Sequence, residues 1–363
     1  MFESISVSTQ NTDYYKYHVG IGLIEEACNF ISTYYGNKTL MIIIDKNVHN
    51  LHIKRIMQVF EPVFKNIFTY IVFPSEKSKS IGEYCQIIDY MLANRVERKI
   101  PILAIGGGVV GDLCGFVAAS TLRGIPLIHM PTSLLAMVDS SIGGKTGINH
   151  ATGKNLIGTF YQPKAVFADI EFLKTLPKKE WVNGLSEIIK YGMIENPNIL
   201  QTLKTLTAGG LFAPAQEWLN VIKQSAQIKI NIVQTDVFEA GVRGFLNFGH
   251  TYGHVLERAG KYGTISHGEA IFAGMYGAIS ASNELGYTIS VDFLDAFKPL
   301  YNIDMSNLPE IETLIEWMHH DKKVDQNNIH LILLKKLSDP IIYKVEDDSL
   351  LVKSWSYLIY NFS

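Results

Sequence analysis

The chain has 363 residues, 47% of them hydrophobic and 18% charged, and a net charge of −3. That length predicts two domains, and the near-neutral balance excludes a general nucleic-acid surface. No apolar run reaches the ~20 residues that a membrane helix needs, so no membrane partner is expected. Cys28, Cys85 and Cys114 stand apart with no CxxC spacing, as reduced thiols do. The first twenty residues lack the apolar stretch of a secretory signal, and a cytoplasmic location is expected.

In chain order, weak alternation at Ile5, Val7, Tyr15, Tyr17 and Val19 predicts edge strands. Residues 23–35 carry helical spacing. The run TLMIIID at 39–45 has no polar alternation, which predicts a strand covered on both faces. Helix (48–60), strand (67–73), helix (81–94), strand (102–105) and strand (124–131) continue the rhythm, and 166–170 closes it. Such alternation predicts a mostly parallel, doubly wound sheet over residues 1–170. Long helical periods follow at 181–194, 216–234, 249–262 and 268–285, with 329–334 alone strand-like. The expected fold class is therefore an α/β Rossmann-like N-terminal domain and an all-α C-terminal metal-binding domain over 171–363.

The strand at 102–105 empties into Gly106, Gly107 and Gly108, and an apolar helical pattern starts near Asp112. A strand, a glycine turn and a helix aim backbone N–H groups at a phosphate. Arg123, Lys145, His150 and Lys154 follow among few acids, which marks the stretch as a holder of anions. Gly106-x-Gly108-x-x-Gly111 satisfies the dinucleotide fingerprint, but it sits near the third strand and no acid follows about twenty residues on. Asp45 and Glu76, upstream, are the candidates for ribose.

HTYGH at 250–254 places two imidazoles at i and i+4 on one helical face. With His267 and Glu187 they make four candidates for the roughly three protein ligands of a catalytic zinc. No Glu follows His250, so the HExxH metalloprotease pattern fails. Lys190 stands three residues after Glu187 on a largely apolar helix, which favours a buried role over a surface ion pair. Arg243, between Gly241 and Gly244, suits a planar clamp for carboxylate or phosphate. Lys229, Glu239 and Asn247 lead into the histidine pair. A nicotinamide cofactor, a divalent metal and anion sites together suit oxidation of an alcohol next to a leaving group.

Several long motifs carry a resemblance: PSEKSKS at 74–80, GGGVVGDLCGFVAASTLRG at 106–124, PTSLLAMVDSSIGGKTGIN at 131–149, GKNLIGTFYQP at 153–163, GLSEIIKYG at 184–192, RGFLNFGHTYGH at 243–254, SHGEAI at 266–271 and DKK at 321–323. In these the chain resembles the 3-dehydroquinate synthase family of sugar phosphate cyclases. The likeness spans most of residues 45–325, and the first forty and last thirty residues carry little of it. It implies zinc or cobalt held by Glu187, His250 and His267, with His254 left to a substrate hydrogen bond or proton relay. It implies NAD against Asp45, Glu76, Lys79, Gly107, Gly108, Asp112, Thr132, Lys154 and Thr175.

The implied substrate is 3-deoxy-D-arabino-heptulosonate 7-phosphate. Its phosphate would meet Lys145, Asn155, Asn247 and, from a neighbouring subunit of a homodimer, Arg123. Its carboxylate would meet Arg243 and Lys229, and its reacting hydroxyls Asp139, Lys190 and Glu239. One of Lys322 and Lys323 also belongs to the implied site. The implied reaction is redox-neutral: transient oxidation at C5 with NAD, β-elimination of phosphate, return of the hydride, ring opening and aldol closure. Related cyclases that make deoxy-inosose or valiolone, and metal-dependent polyol dehydrogenases, are the alternatives. Arg243 with Lys229 favours a carboxylated substrate.

Overall fold

The computed structural model describes residues 2–9, 12–211, 215–260, 264–321 and 328–363. The chain divides into two compact units, Met1–Pro177 with Pro214–Phe238, and Lys178–Ala213 with Glu239–Ser363.

The first unit is built on a seven-stranded sheet. Its order is β1 (Phe2–Thr9), β2 (Thr12–Gly20), β9 (Ala165–Asp169), β6 (Leu127–Pro131), β5 (Ile102–Gly106), β3 (Thr39–Asp45) and β4 (Asn66–Val72). Only the β1–β2 pair is antiparallel. Every residue of β5, β6 and β9 is buried, and so are Leu40 to Ile44 of β3. Their mainly apolar sequences reflect cover on both faces. Of the two strands expected at an edge, β1 is one and β2 lies inside, between β1 and β9.

Helices α1 (Ile24–Tyr35), α2 (Lys46–Phe60), α3 (Ile81–Ala93) and α4 (Gly108–Ser120) form the crossovers. Val110, Leu113 and Val117 of α4 share one core cluster with Ile87 and Met91 of α3 and with Met41 and Ile43 of β3. A separate hairpin, β7 (Lys145–His150) and β8 (Gly153–Phe160), packs on α4. A Cβ on Gly115 would come within 2.2 Å of Thr146 Cγ2, so only glycine allows this approach.

The periodic segment 216–234, expected in the helical half, is helix α7 (Ala215–Thr235) and belongs to the first unit. Polar contacts anchor it there. Lys223 pairs with Glu3, Gln234 Nε2 donates to the Ser6 carbonyl at 3.2 Å, and Lys229 pairs with Asp139. Periodicity shows that a helix has an apolar face but not what covers it.

Among the described residues, the second unit is helical apart from one hairpin. Its helices are α5 (Lys178–Ile194), α6 (Asn198–Thr207), α8 (His250–Ala259), α9 (His267–Glu284), the short α10 (Asp292–Asp295), α11 (Ile311–Asp321) and α12 (Ser349–Phe362). Helix α9 is its centre, buried at every residue from Gly268 to Ser282 except Glu269. Close backbone approaches set its neighbours. A Cβ on Gly268 would lie 2.4 Å from Asn183 Cα of α5, and one on Gly274 would lie 2.1 Å from the Gly249 carbonyl oxygen that precedes α8. The strand expected at 329–334 is β10 (His330–Leu334), paired antiparallel with β11 (Pro340–Lys344). The C-terminal tail is packing: Trp355 of α12 is fully buried, edge-on to Tyr252, and its Nε1 donates to Met318 Sδ.

Candidate active site

In the first unit, chain order and sheet order together mark a position. From β3 the chain goes out to β4, returns to β5 on the other side of β3, and continues to β6. Strand order thus reverses between β3 and β5, where the strand ends of an open α/β sheet leave a ligand crevice. The parallel register sets Asp45 beside Val72, Ile44 beside Ile105 and Gly106 beside Pro131. The loops that carry Glu76, Gly107, Gly108 and Thr132 therefore leave the same end of the sheet as Asp45.

Asp45 caps α2, its Oδ1 accepting from Asn47 N at 2.7 Å and Val48 N at 3.3 Å. Burial lifts its carboxyl above the ordinary range, and those two donors partly offset this. Gly107 precedes α4 with no side-chain cap, an arrangement that suits the first N–H groups of a helix to an anion. A Cβ on Gly107 or Gly108 would lie 3.2 Å from Ser133 Oγ or 3.1 Å from Ser140 Oγ, which keeps this turn bare. The dinucleotide signal of the sequence is thus a real strand–turn–helix.

Beside the turn stands a connected polar network. Lys79, 4% exposed, donates to Asp112 Oδ2 at 2.7 Å and to Asn155 Oδ1, with Glu76 Oε1 at 3.7 Å. Burial alone would pull the ammonium down, but Asp112 and then Glu76 outweigh it and hold Lys79 above its ordinary range. Asn149, which the sequence reading did not single out, ties the network together. Its Nδ2 donates to Glu76 Oε1 at 2.8 Å and its Oδ1 accepts from Asn155 N at 2.8 Å. Its only sequence signal is its place at the end of the TGIN motif. Asn155 holds its backbone at φ 56°, a left-handed conformation that Asn tolerates better than most residues.

The remaining expected residues of this unit are more dispersed. Asp139 lies in a π turn, Ala136–Ser140, a rare winding frequent at functional sites. Lys229 of α7 donates to Asp139 Oδ1 at 2.6 Å and to its carbonyl at 2.8 Å. Lys145 opens β7 and Lys154 lies in β8. Arg123 is exposed on a turn in which Leu122, Arg123 and Gly124 all have positive φ. The Thr175 hydroxyl is 2.7 Å from His52 Nε2 and 3.1 Å from the Phe172 carbonyl, which holds it against α2.

In the second unit, Glu187 of α5 and His250 and His267, the first residues of α8 and α9, converge. Their ligand atoms lie within 4.8 Å of one another. The glycine contacts at 249, 268 and 274 bring the three helices this close. Ser266 caps α9, and Glu269 returns to the Ser266 backbone, a capping box that fixes where His267 starts. Each imidazole Nε2 is 3.5 Å from Glu187 Oε1, and Lys190 pairs with Oε2.

Glu187 is 1% exposed, with Lys190 at its Oε2 and the two imidazoles at its Oε1. Burial raises its carboxyl, but Lys190 and then His267 and His250 outweigh that and hold it well below the usual range. Burial, with Lys190 beside it, takes His250 down to about 3. Burial pulls His267 the same way, yet Glu187 and Glu257 push it up to about 10. A buried carboxylate facing two imidazoles is a donor set suited to a divalent cation. His254, the fourth candidate, is outside this group, its ring 5.6 Å from that of His250.

Arg243 is 2% exposed, in the turn Val242–Asn247, and Asn247 Nδ2 donates to Glu239 Oε1 at 3.0 Å. Lys322 and Lys323 lie outside the described residues. The sequence reading missed Glu257, whose Oε2 is 3.5 Å from His267 Nδ1. A signal was there: Glu257 stands seven residues after His250 in α8.

Residues 69–183 match the family described as 3-dehydroquinate synthase N-terminal, and residues 184–324 the one described as 3-dehydroquinate synthase C-terminal. A 3-dehydroquinate synthase of Psychrobacter cryohalolentis is 37% identical over 96% of this chain and 95% of its own. That of Dehalococcoides mccartyi is 39% identical over 90% and 92%. In fold, the chain is similar to a solved 2-deoxy-scyllo-inosose synthase complexed with carbaglucose-6-phosphate, NAD+ and Co2+ (TM-score 0.85, 24% identity, 98% and 99% covered). It is likewise similar to the 2-epi-5-epi-valiolone synthase of Streptomyces hygroscopicus with NAD+ and Zn2+ bound (TM-score 0.86, 23% identity, 98% and 100% covered). Two family matches covering most of the chain, and full-length relatives at this identity, lead to one conclusion: the chain belongs to the 3-dehydroquinate synthase family.

Proposed function

We propose that this enzyme converts 3-deoxy-D-arabino-heptulosonate 7-phosphate to 3-dehydroquinate and inorganic phosphate, with catalytic NAD and one divalent cation, Zn2+ or Co2+. The observation that carries the reading is the buried Glu187–His250–His267 group in a chain that also has an open-ended glycine turn beside the Lys79 network. When bound, NAD takes and returns one hydride, and the cation polarises the oxygen at the reacting carbon.

The chain's own groups then have the following work. Gly107, Gly108 and the start of α4 receive the dinucleotide phosphates, and Asp45 and Glu76 the ribose hydroxyls. Lys79, Asp112, Thr132, Lys154 and Thr175 complete the cofactor site, Lys79 as a fixed positive charge. Glu187, His250 and His267 hold the cation. Arg243 and Lys229 receive the substrate carboxylate; Arg243 is a planar fork suited to that group.

Lys145, Asn155 and Asn247 hold the substrate phosphate, with Arg123 of a second copy, so the active species is a homodimer in the cytoplasm. Asp139, Lys190 and Glu239 orient the reacting hydroxyls, and His254 relays a proton. No residue is assigned as a dedicated base for the elimination, because the departing phosphate can itself take the proton. Exclusion of water keeps the reduced cofactor until the hydride is returned.

The test is phosphate release from 3-deoxy-D-arabino-heptulosonate 7-phosphate, with and without a chelator, and identification of the carbocycle. Phosphate and 3-dehydroquinate should form in equal amounts, without accumulation of NADH, and the chelator should stop both. A sustained rise in NADH would identify a net dehydrogenase. Turnover of a sugar phosphate lacking the carboxylate, in preference to this one, would move the enzyme to the inosose- or valiolone-forming cyclases.

A further inference from the structure

The two imidazoles of the cation group are held differently at their outer nitrogens. His250 has Nε2 towards Glu187, and its Nδ1 is 3.2 Å from the Phe248 carbonyl oxygen. His267 has Nε2 towards the same carboxylate, and its Nδ1 is 3.5 Å from Glu257 Oε2. Glu257 is buried, 7% exposed, and is carried by α8 whereas His267 is carried by α9. Residues 250 and 257 are seven apart in α8 and so lie on one face, two turns along. One helix thus supplies a ligand and, with the same face, a carboxylate for the ligand on its neighbour.

An imidazole presents a lone pair at one nitrogen when the other keeps the proton, and the acceptor beside that proton selects the tautomer. On the metal reading above, we infer that Glu257 is a positioning residue, accepting the Nδ1 proton of His267 so that Nε2 is the atom offered to the cation. A carboxylate beside Nδ1 makes the His267 ring a more electron-rich donor than a neutral acceptor would. The buried carboxylate also adds negative charge next to a bound dication.

The experiment uses the full-length protein, stripped of metal and titrated with Zn2+ against a competing chelator. The visible spectrum of the Co2+-loaded protein is recorded in parallel. Glu257→Gln keeps a neutral acceptor and Glu257→Leu removes it. Zn2+ affinity should fall about 10-fold in the first and up to about 100-fold in the second, with a shifted Co2+ spectrum in both. Should the leucine variant fail to fold, the glutamine variant decides.

A residue that only packs would lower the melting temperature of the metal-free protein and leave affinity and spectrum unchanged. That result overturns the inference while the metal reading stands. If the unaltered protein binds no stoichiometric Zn2+, or Glu187→Gln binds it equally well, the metal reading fails and the role of Glu257 falls with it.

Discussion

The two polar clusters are finished to different degrees. In the first unit Lys79, Glu76, Asp112, Asn149 and Asn155 bond to one another, and the ligand-facing groups are backbone N–H at a bare glycine turn. In the second unit Glu187, 1% exposed, is held by charged or chargeable groups: Lys190 at Oε2 and the imidazoles of His250 and His267, each 3.5 Å from Oε1. A hydrogen-bonded network is rigid before anything binds; a carboxylate and its ion pair taken out of water carry a desolvation cost that a bound cation would offset. On the proposed function, the first unit's network would be complete without its cofactor, whereas the cation would add to the stability of the second unit.

The largest expected effect tests that contrast directly. Glu187→Ala should abolish stoichiometric cation binding and, by leaving Lys190 buried and unpaired, cost about 3–5 kcal/mol in denaturant unfolding. NAD affinity of the folded protein, measured by calorimetry, should stay within about twofold of the parent; a large loss would mean that the halves are not separable in this sense.

A second pair of substitutions compares the packing of the two units. Gly274→Ala puts a methyl 2.1 Å from a backbone oxygen, whereas Gly115→Ala puts one 2.2 Å from a side-chain methyl. Thr146 Cβ, 2.8 Å away, is also too close, so β7 has to shift, and a two-stranded hairpin with much exposed surface yields more readily than two buried helices. The first change should cost about 3 kcal/mol or more and the second roughly 1–2 by thermal unfolding. Equal costs would show that the helical unit yields more easily than its backbone contacts indicate.

The sheet unit has its own acid weakness. Burial holds His129 in β6 at about 4, below the unperturbed 6.5. Between those values the unfolded chain takes up a proton that the native state refuses, so stability falls as pH drops from 6.5 towards 4. The contribution of His129 is no more than about 3 kcal/mol, present in full above pH 6.5. His129→Gln should flatten that part of the stability–pH curve, and an unchanged slope would place the loss elsewhere.

The smallest effect concerns the finished network. Lys79→Met should weaken NAD about tenfold, close to 1.4 kcal/mol, with zinc content unaltered. Loss of zinc in that variant would erase the distinction between the two clusters.

Much of this was legible in the chain. Strands β3, β5, β6 and β9 are short apolar runs because they are covered on both faces, and helices α5, α7, α8 and α9 keep a helical period. The β7–β8 hairpin was not read, because its glycines and polar residues at 145–160 leave no alternation, and seven of its residues are exposed. Helix α7 was read as a helix but expected in the wrong half, since its anchors, Glu3, Ser6 and Asp139, are remote in sequence.

By itself the sequence determined the elements, the glycine turn and the residue types of the cation group, because spacing along a helix or strand is a local property. Four candidates for that group were on the page from the start. Helical spacing left the choice open and the resemblance singled out three; the folded chain brings those three together, through glycine contacts that let α5, α8 and α9 approach at backbone distance. It also gave weight to two residues whose local signals were weak, Asn149 and Glu257. Their significance lies in what they touch across the fold, and contact between distant segments is fixed by packing.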